Sequence, residues 1–471
     1  MVLKQYYLGC LSHASYLIAE PASREAAVVD PQRDVDQYLE DARELDCVIS
    51  HVFLTHFHAD FLAGHLELRD RAGAEIHLGA AARADYEFTP MHDGAAVRLG
   101  AVELVVLETP GHSRESISIL ICDRDSDRSK PRAVLTGDTL FIGDVGRPDL
   151  RASLGWSAEE LGGMLFDSLQ EKILALPDET LVYPAHGAGS LCGKSLSADT
   201  VSTIGRQRLE NYALQPMSRE RFVEIVTADQ PDAPAYFTYD AILNTKERGT
   251  LEAALRHGLR PLALGDVLGL VVDGAQLLDT RAPDRFERRH LRGSVNVALC
   301  GSYATWCGTV LEIGRPIVLV TERGAERESA MRLGRIGFDS VVGYLDGGAD
   351  AFRERPDLID EIKRVSASDL ASKLASDSKP SVIDVRSESE CSEGAIEGSL
   401  NIPLPTLGGR LERIADDRPT VVLCTSGYRS AIAASLMRRA GIRNVFDLAG
   451  GYLEWSTTAG AGMKLATPKL P

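Results

Sequence analysis

The sequence has no CxxC pair. Its eight cysteines (Cys10, Cys47, Cys122, Cys192, Cys300, Cys307, Cys391 and Cys424) are scattered through 471 residues. That spacing argues against a disulfide framework and suggests free thiols in a reducing cytoplasm. No stretch approaches the run of about 18 apolar residues that a membrane span needs. The opening Met1 to Tyr7 lacks the apolar core and cleavage site of a signal peptide and reads as a first strand. Basic residues are in the minority: 51 Lys and Arg against 68 Asp and Glu leave a net charge of −17. Without a basic surface there is little to displace counterions from nucleic acid or from an anionic membrane, so neither is expected as a partner. What the chain does have, 44% apolar and 25% charged residues, suits a globular protein of three domains.

The apolar, β-branched run Val48 to Leu54 predicts a buried strand. It ends in Thr55-His56-Phe57-His58-Ala59-Asp60-Phe61. Two histidines and an aspartate at alternating positions aim two imidazoles and a carboxylate at one point, which is metal-ligand chemistry. Strand ends are where α/β folds carry reactive groups. Three more apolar runs end in the same way, at His112, Asp138 and His186, each beside a glycine that permits a tight turn.

In this order the four motifs resemble those of the metallo-β-lactamase superfamily, over roughly residues 1 to 210. The resemblance implies an αββα sandwich. One position departs: Phe61 stands where the pattern has histidine. Phenylalanine has no lone pair, so a second metal would lack a ligand and the two-metal clamp of such hydrolases would be unavailable. Two histidines and a carboxylate with open positions form the facial triad of non-haem Fe(II) oxygenases, and the branch of this superfamily that uses it is the persulfide dioxygenases. By that resemblance His56, His112 and Asp138 bind Fe(II), one per chain, while His58, Asp60 and His186 orient the ligands. The resemblance also makes Arg147, in the turn-rich loop Gly143 to Leu150, a candidate contact for an anionic substrate. Stitching that loop by hydrogen bonds is an equal alternative for Arg147. Tyr183 and Cys192 flank His186 and are candidates for substrate contact or sulfur relay, with Cys192 placed at the rim of the site. A buried structural thiol is the other reading of Cys192.

Flanking elements follow from pattern. Residues 11 to 29 read as a hairpin and Val35 to Leu45 as a helix. Residues 200 to 225 are helical in pattern, and Asp123 to Arg132 and Asp229 to Pro234 read as loops. The chain then repeats itself. Leu277 to Arg281 matches Val382 to Arg386, Leu291 to Val297 matches Ile396 to Ile402, and Tyr344 to Gly348 matches Asp447 to Gly451. A repeat of about 100 residues is two copies of one domain, and strand–helix alternation predicts a small parallel sheet in each.

The copies resemble rhodanese domains. In the second, the strand ending at Leu423 delivers Cys424-Thr425-Ser426-Gly427-Tyr428-Arg429, followed by a helix from near Ala431. Backbone N–H groups at a helix N-terminus favour an anionic sulfur, so Cys424 is the expected nucleophile with Arg429 beside it. A loop of this length suits sulfur rather than phosphate or arsenate. The histidine of the family is replaced by Ala395. In the first copy Thr321 replaces the cysteine and Glu322 adds a negative charge, so this copy is expected to be a non-catalytic scaffold. Cys300 and Cys307 miss the motif position and read as structural.

The expected architecture is α/β: a metallo-β-lactamase domain at 1–257, a degenerate rhodanese-like domain at 258–358 and an active rhodanese domain at 364–465. The whole resembles the fused persulfide dioxygenase–sulfurtransferases of sulfide detoxification. That implies oxidation of a low-molecular-weight thiol persulfide, of glutathione or coenzyme A type, by O2 to sulfite, and then sulfur transfer through Cys424 to give thiosulfate. A homo-oligomer is expected. Two other readings stay open: a glyoxalase-type thioester hydrolase, and a sulfur-carrier or redox-sensing module whose metal is structural.

Overall fold

The structure is a computed structural model that describes residues 1–123, 130–150, 155–194, 196–228, 230, 233–377, 379–414 and 418–458. It divides into two units, Met1–Ala253 with Gly334–Gly337, and Ala254–Leu333 with Phe338–Pro471.

The first unit is built on two six-stranded sheets. Strands β1 (Val2–Leu8), β2 (His13–Glu20), β3 (Glu25–Val29), β4 (Val48–Phe53), β5 (Glu75–Gly79) and β6 (Thr89–Met91) lie in that order in one. The β1–β2–β3 pairs are antiparallel and the β3–β4–β5–β6 pairs parallel. The second sheet holds β7 (Ala96–Leu99), β8 (Val102–Glu108), β9 (Ile117–Asp123), β10 (Ala133–Gly137), β11 (Leu181–Pro184) and β12 (Ser202–Thr203). Period-two alternation divides the side chains of each strand between two faces. Tyr16, Ile18, Ala27, Val29 and Phe53 of the first sheet meet Leu104, Val106, Ile117, Ile119, Ile121 and Leu135 of the second in one buried core. The intervening Val105, Leu120, Val134 and Val182 face outward, where Leu165 of the helix Ala158–Ser168 and Phe222 and Val226 of the helix Arg219–Thr227 cover them. Burial on both faces explains why these strands read as continuous apolar runs.

The expected hairpin and the helix at Asp36–Glu44 are present. Of the two expected loops, 124–129 in one and 229, 231 and 232 in the other lie outside the described residues.

The second unit contains the repeat. Strands Pro261–Leu262, Val341–Leu345, Ile317–Val320, Gln276–Asp279 and Val295–Asn296 form one all-parallel sheet in that order. Lys363–Val365, Val445–Leu448, Thr420–Leu423, Ser381–Asp384 and Leu400–Asn401 form another with the same order. The helix expected from Ala431 runs Tyr428–Arg439, so it starts directly after Gly427. That helix packs on the first copy: Asn296 N–H donates to Ser435 Oγ at 3.0 Å and Tyr428 O–H to the Ala298 carbonyl at 2.9 Å.

Glu287 of the first copy is 1% exposed and Asp447 of the second 0%, and none of their carboxyl oxygens has a hydrogen-bond partner in aligned geometry. They share Arg364, whose Nε lies 3.3 Å from Glu287 and 3.9 Å from Asp447. Burial first, then Asp447, pushes the Glu287 carboxyl up to about 8. Burial pushes Asp447 up to about 7, against the pull of Arg364. The folded pair therefore holds protons that the unfolded chain releases in the ordinary carboxylate range, and stability falls as pH rises from there to about 8. Glu287→Gln mimics the protonated acid at every pH. Its melting midpoint relative to the native chain should rise between about pH 5 and pH 8, and a pH-independent difference in calorimetry would contradict this.

Candidate metal centre and sulfur-binding loop

Parallel pairing of β3, β4 and β5 brings the residues after Val29 and Phe53 to one edge of the first sheet. The ends of β10 and β11 supply Asp138 and His186 from the second. Asp30 anchors the first motif: its Oδ1 accepts from Thr55 N–H and its Oδ2 from the Thr55 hydroxyl, both at 2.8 Å. That hydroxyl has one hydrogen, so the 3.0 Å contact between Thr55 Oγ1 and His56 Nδ1 is donated by the ring. His112 Nδ1 lies 2.9 Å from the Arg147 carbonyl, which only accepts. In the neutral rings both Nδ1 atoms carry the proton and both Nε2 atoms keep the lone pair.

Those two Nε2 atoms face one oxygen. Asp138 Oδ2 lies 3.7 Å from His56 Nε2 and 3.6 Å from His112 Nε2, is buried, and has no hydrogen-bond partner. Two lone-pair nitrogens around an orphaned carboxylate oxygen fit a metal ion with open positions. Gly146 lets the loop close on this centre, because a Cβ there would sit 2.0 Å from the Asp138 carbonyl oxygen and 3.1 Å from His112 Nδ1.

The other oxygen of Asp138 is engaged differently. Oδ1 lies 2.7 Å from His186 Nδ1, and His186 Nε2 lies 3.0 Å from Asp60 Oδ2. Burial opposes charge on His186, yet Asp138 and Asp60 outweigh it and hold the ring well above its ordinary pKa. An imidazolium between two carboxylates donates from both nitrogens. Burial would also raise the Asp138 carboxyl, but His186 and His56 hold it well below the usual carboxylate range. His58, Asp60 and His186 nevertheless lie within ligand distance of one another. His58 Nε2 is 3.0 Å from Asp30 Oδ1, outside hydrogen-bonding alignment.

Phe61 fills the flank where the motif has histidine, its ring 4.4 Å from His58 and 4.1 Å from His13. His13 went unnoticed in the sequence. It is fully buried, with both nitrogens unpaired, and its ring is 5.5 Å from that of His186. No motif surrounds it, and only the β2–β11 end contact brings it here. Thr55 and Asp30 were likewise not singled out.

Three candidate side chains have partners inside the fold. Arg147 is buried and committed: Nε and Nη2 bond Asp149 at 2.8 and 2.6 Å, and Nη1 bonds the Leu191 carbonyl at 3.2 Å. It stitches the loop, and its carbonyl, not its charge, serves the centre. Tyr183 packs on the core between the sheets, edge-on to Tyr16 at 5.7 Å. Cys192 is not at a rim; it is buried against Asp138 and His186, and burial first, then Asp60, pushes its thiol well above 9.

In the second unit Cys424 is buried at the end of its strand, and Gly427 N–H donates to its Sγ at 3.1 Å. Gly427, at φ +113°, turns the chain into the helix. Gly451, at φ +60°, lies against the loop so closely that a Cβ would be 2.4 Å from the Cys424 carbonyl oxygen. Arg429 is held by Glu390 through two bonds of 2.6 and 2.7 Å and reaches Thr425 Oγ1 at 2.8 Å. Glu390, also not anticipated, accepts from Thr425 too and fixes the arginine at the mouth of the loop. In the first copy, Gly324 N–H is taken by Glu326, and Arg285 pairs with Glu322.

Comparison with known proteins agrees with this division. Residues 8–186 match the metallo-beta-lactamase superfamily, and 265–355 and 366–458 each match the rhodanese-like domain. "Persulfide dioxygenase ETHE1, mitochondrial" of Bos taurus is 30% identical over 234 residues, 48% of this chain and 80% of that protein. A hydroxyacylglutathione hydrolase of Rhodospirillum rubrum is 32% identical over 231 residues, 49% of this chain and 80% of that one. A solved metallo-beta-lactamase structure from Staphylococcus aureus gives a TM-score of 0.65 at 29% identity, covering 73% of this chain and 98% of the other.

Thr55→Val keeps the shape of the side chain and removes the acceptor of His56 Nδ1–H. Loss of such an orienting bond weakens metal binding by about 10- to 100-fold. Competition with a graded chelator should show that drop in Thr55→Val; unchanged affinity would mean that the hydroxyl does not set the ring.

Proposed function

Because the chain belongs to the metallo-beta-lactamase superfamily and carries two rhodanese-like domains, we propose that it oxidises a thiol persulfide and passes sulfane sulfur to the sulfite formed. The first step is RSSH + O2 + H2O → RSH + sulfite + two protons. In the second, Cys424 takes the outer sulfur of another persulfide, releasing RSH, and the sulfite attacks that sulfur to give thiosulfate and restore the thiol.

The observation that carries this reading is the split use of Asp138. Its Oδ2 faces the Nε2 atoms of His56 and His112, while its Oδ1 lies 2.7 Å from His186 Nδ1. In the proposal His56, His112 and Asp138 hold one Fe(II), which supplies one-electron chemistry with O2 and open positions for substrates. Asp60 and His186 fix the Asp138 carboxylate, and Phe61 brings no donor atom to that flank. Cys424 acts as nucleophile, Gly427 N–H supports negative charge on its sulfur, and Arg429, held by Glu390, receives the sulfite. We place the protein in a reducing cytoplasm, as a homo-oligomer, with a glutathione- or coenzyme A-type carrier.

A thioester hydrolase is the second reading. The ligand distances within His58, Asp60 and His186 and the hydrolase of Rhodospirillum rubrum favour it. Anaerobically purified protein decides between the two. One iron per chain with O2 uptake on glutathione or coenzyme A persulfide is expected; two metals with thioester turnover and no O2 uptake would overturn the proposal.

The sites should separate by mutation. Cys424→Ser should keep O2 uptake while early thiosulfate falls by about tenfold or more and sulfite accumulates in its place. Unchanged early thiosulfate would move the transfer to another thiol. Collapse of O2 uptake with the metal still bound would mean that the two reactions are not independent.

A further inference from the structure

Away from the catalytic ligands, β4 and β5 place three donors on one face. His51 pairs in register with Glu75 and Phe53 with His77, so the two-residue period aligns His51 with Phe53 and Glu75 with His77. His51 Nδ1 lies 3.0 Å from His77 Nε2, and each lies 3.9 Å from Glu75 Oε2. The equidistant point in the plane of the three atoms lies about 2.1 Å from each, the distance at which zinc binds imidazole nitrogen and carboxylate oxygen.

The donors are also held. The Thr89 hydroxyl on β6 bonds Glu75 Oε1 and leaves Oε2 turned to the histidines. Phe53 stacks on His77 at 4.5 Å and fixes the ring plane. One proton between two rings satisfies only the His51–His77 contact and leaves the carboxylate oxygen 3.9 Å from both nitrogens, beyond hydrogen-bond reach. A cation satisfies all three at once. Burial first, then His51, holds His77 down at about 4, and burial lowers His51, so both rings are neutral near pH 7 and the shared proton need only move to the other nitrogen of its ring. The site opens on one side: the Glu75 side chain is 52% exposed and that of His77 only 2%.

We propose that His51, Glu75 and His77 form a second metal site, for zinc, with water in the fourth position. It shares no residue with the catalytic centre, and the proposal is independent of the reaction assigned above. Bound there, zinc clips β4 to β5 just upstream of Thr55 and His56. It stabilises the folded state in proportion to occupancy.

The test is a difference count on the full chain. Native protein and His51→Ala, both iron-loaded, are equilibrated with the same free zinc, desalted and analysed for zinc and iron. Native protein should hold one zinc more per chain at equal iron. Glu75→Gln, at an exposed position, should weaken that zinc by about 10- to 100-fold. Cobalt as a probe should give low-symmetry visible bands in the native protein that His51→Ala lacks, and zinc should raise the melting midpoint of the native protein alone. Equal zinc in the native protein and His51→Ala, with circular dichroism confirming that the variant is folded, would overturn the proposal. So would zinc gained only as iron is lost.

Discussion

One buried carboxylate organises the first unit. Asp138 has two oxygens with opposite duties: one meets the lone pairs of His56 and His112, the other meets a proton on His186. A buried anion needs a compensating partner, and His186, which Asp60 also contacts, meets Asp138 through Oδ1. The supporting contacts read as consequences. Thr55 and the Arg147 carbonyl set two ring tautomers, Asp60 supplies the second anion that His186 needs, and Gly146 gives the loop room to close.

The second unit solves a different problem with the same economy of parts. A strand running into a helix through Gly427 makes a loop whose Gly427 N–H reaches Cys424 Sγ, a geometry that tolerates an anion. Duplication then gave two such loops. One kept its cysteine and an arginine braced by Glu390; the other has a threonine, and its loop N–H is taken by Glu326. The copy without a nucleophile is not idle in packing, since its edge strand docks the helix that begins beside Cys424. That contact buries Glu287 against Asp447, a pairing that makes this part of the fold sensitive to pH.

The fold class and most of the residues that meet at the candidate site were legible in the chain because both rest on local signals. Apolar runs buried on both faces announce the strands, and polar residues just past their ends announce the ligands. The same logic identified Cys424 and the loss of its counterpart at Thr321. Partners distant in sequence could not be read. His13 reaches the centre only through the contact of β2 with the end of β11, and Glu390 reaches Arg429 only across the second rhodanese fold. Arg147 and Cys192 were named for their side chains, while the structure spends one on Asp149 and buries the other.

By itself the sequence determined which residue types arrive at which strand ends, since periodicity and turn chemistry act over a few residues. It also determined that Phe61 cannot serve as a ligand, because that is a property of the side chain alone. Only the tertiary structure decided which nitrogen of each histidine faces the metal position, since the tautomer is set by whichever acceptor the fold brings to Nδ1. It alone decided that His186 lies between Asp138 and Asp60, which raise its pKa, and that His51, Glu75 and His77 converge on one point. Charge state and convergence depend on distances of a few ångströms between groups far apart in the chain, and strand register, not sequence spacing, sets those distances.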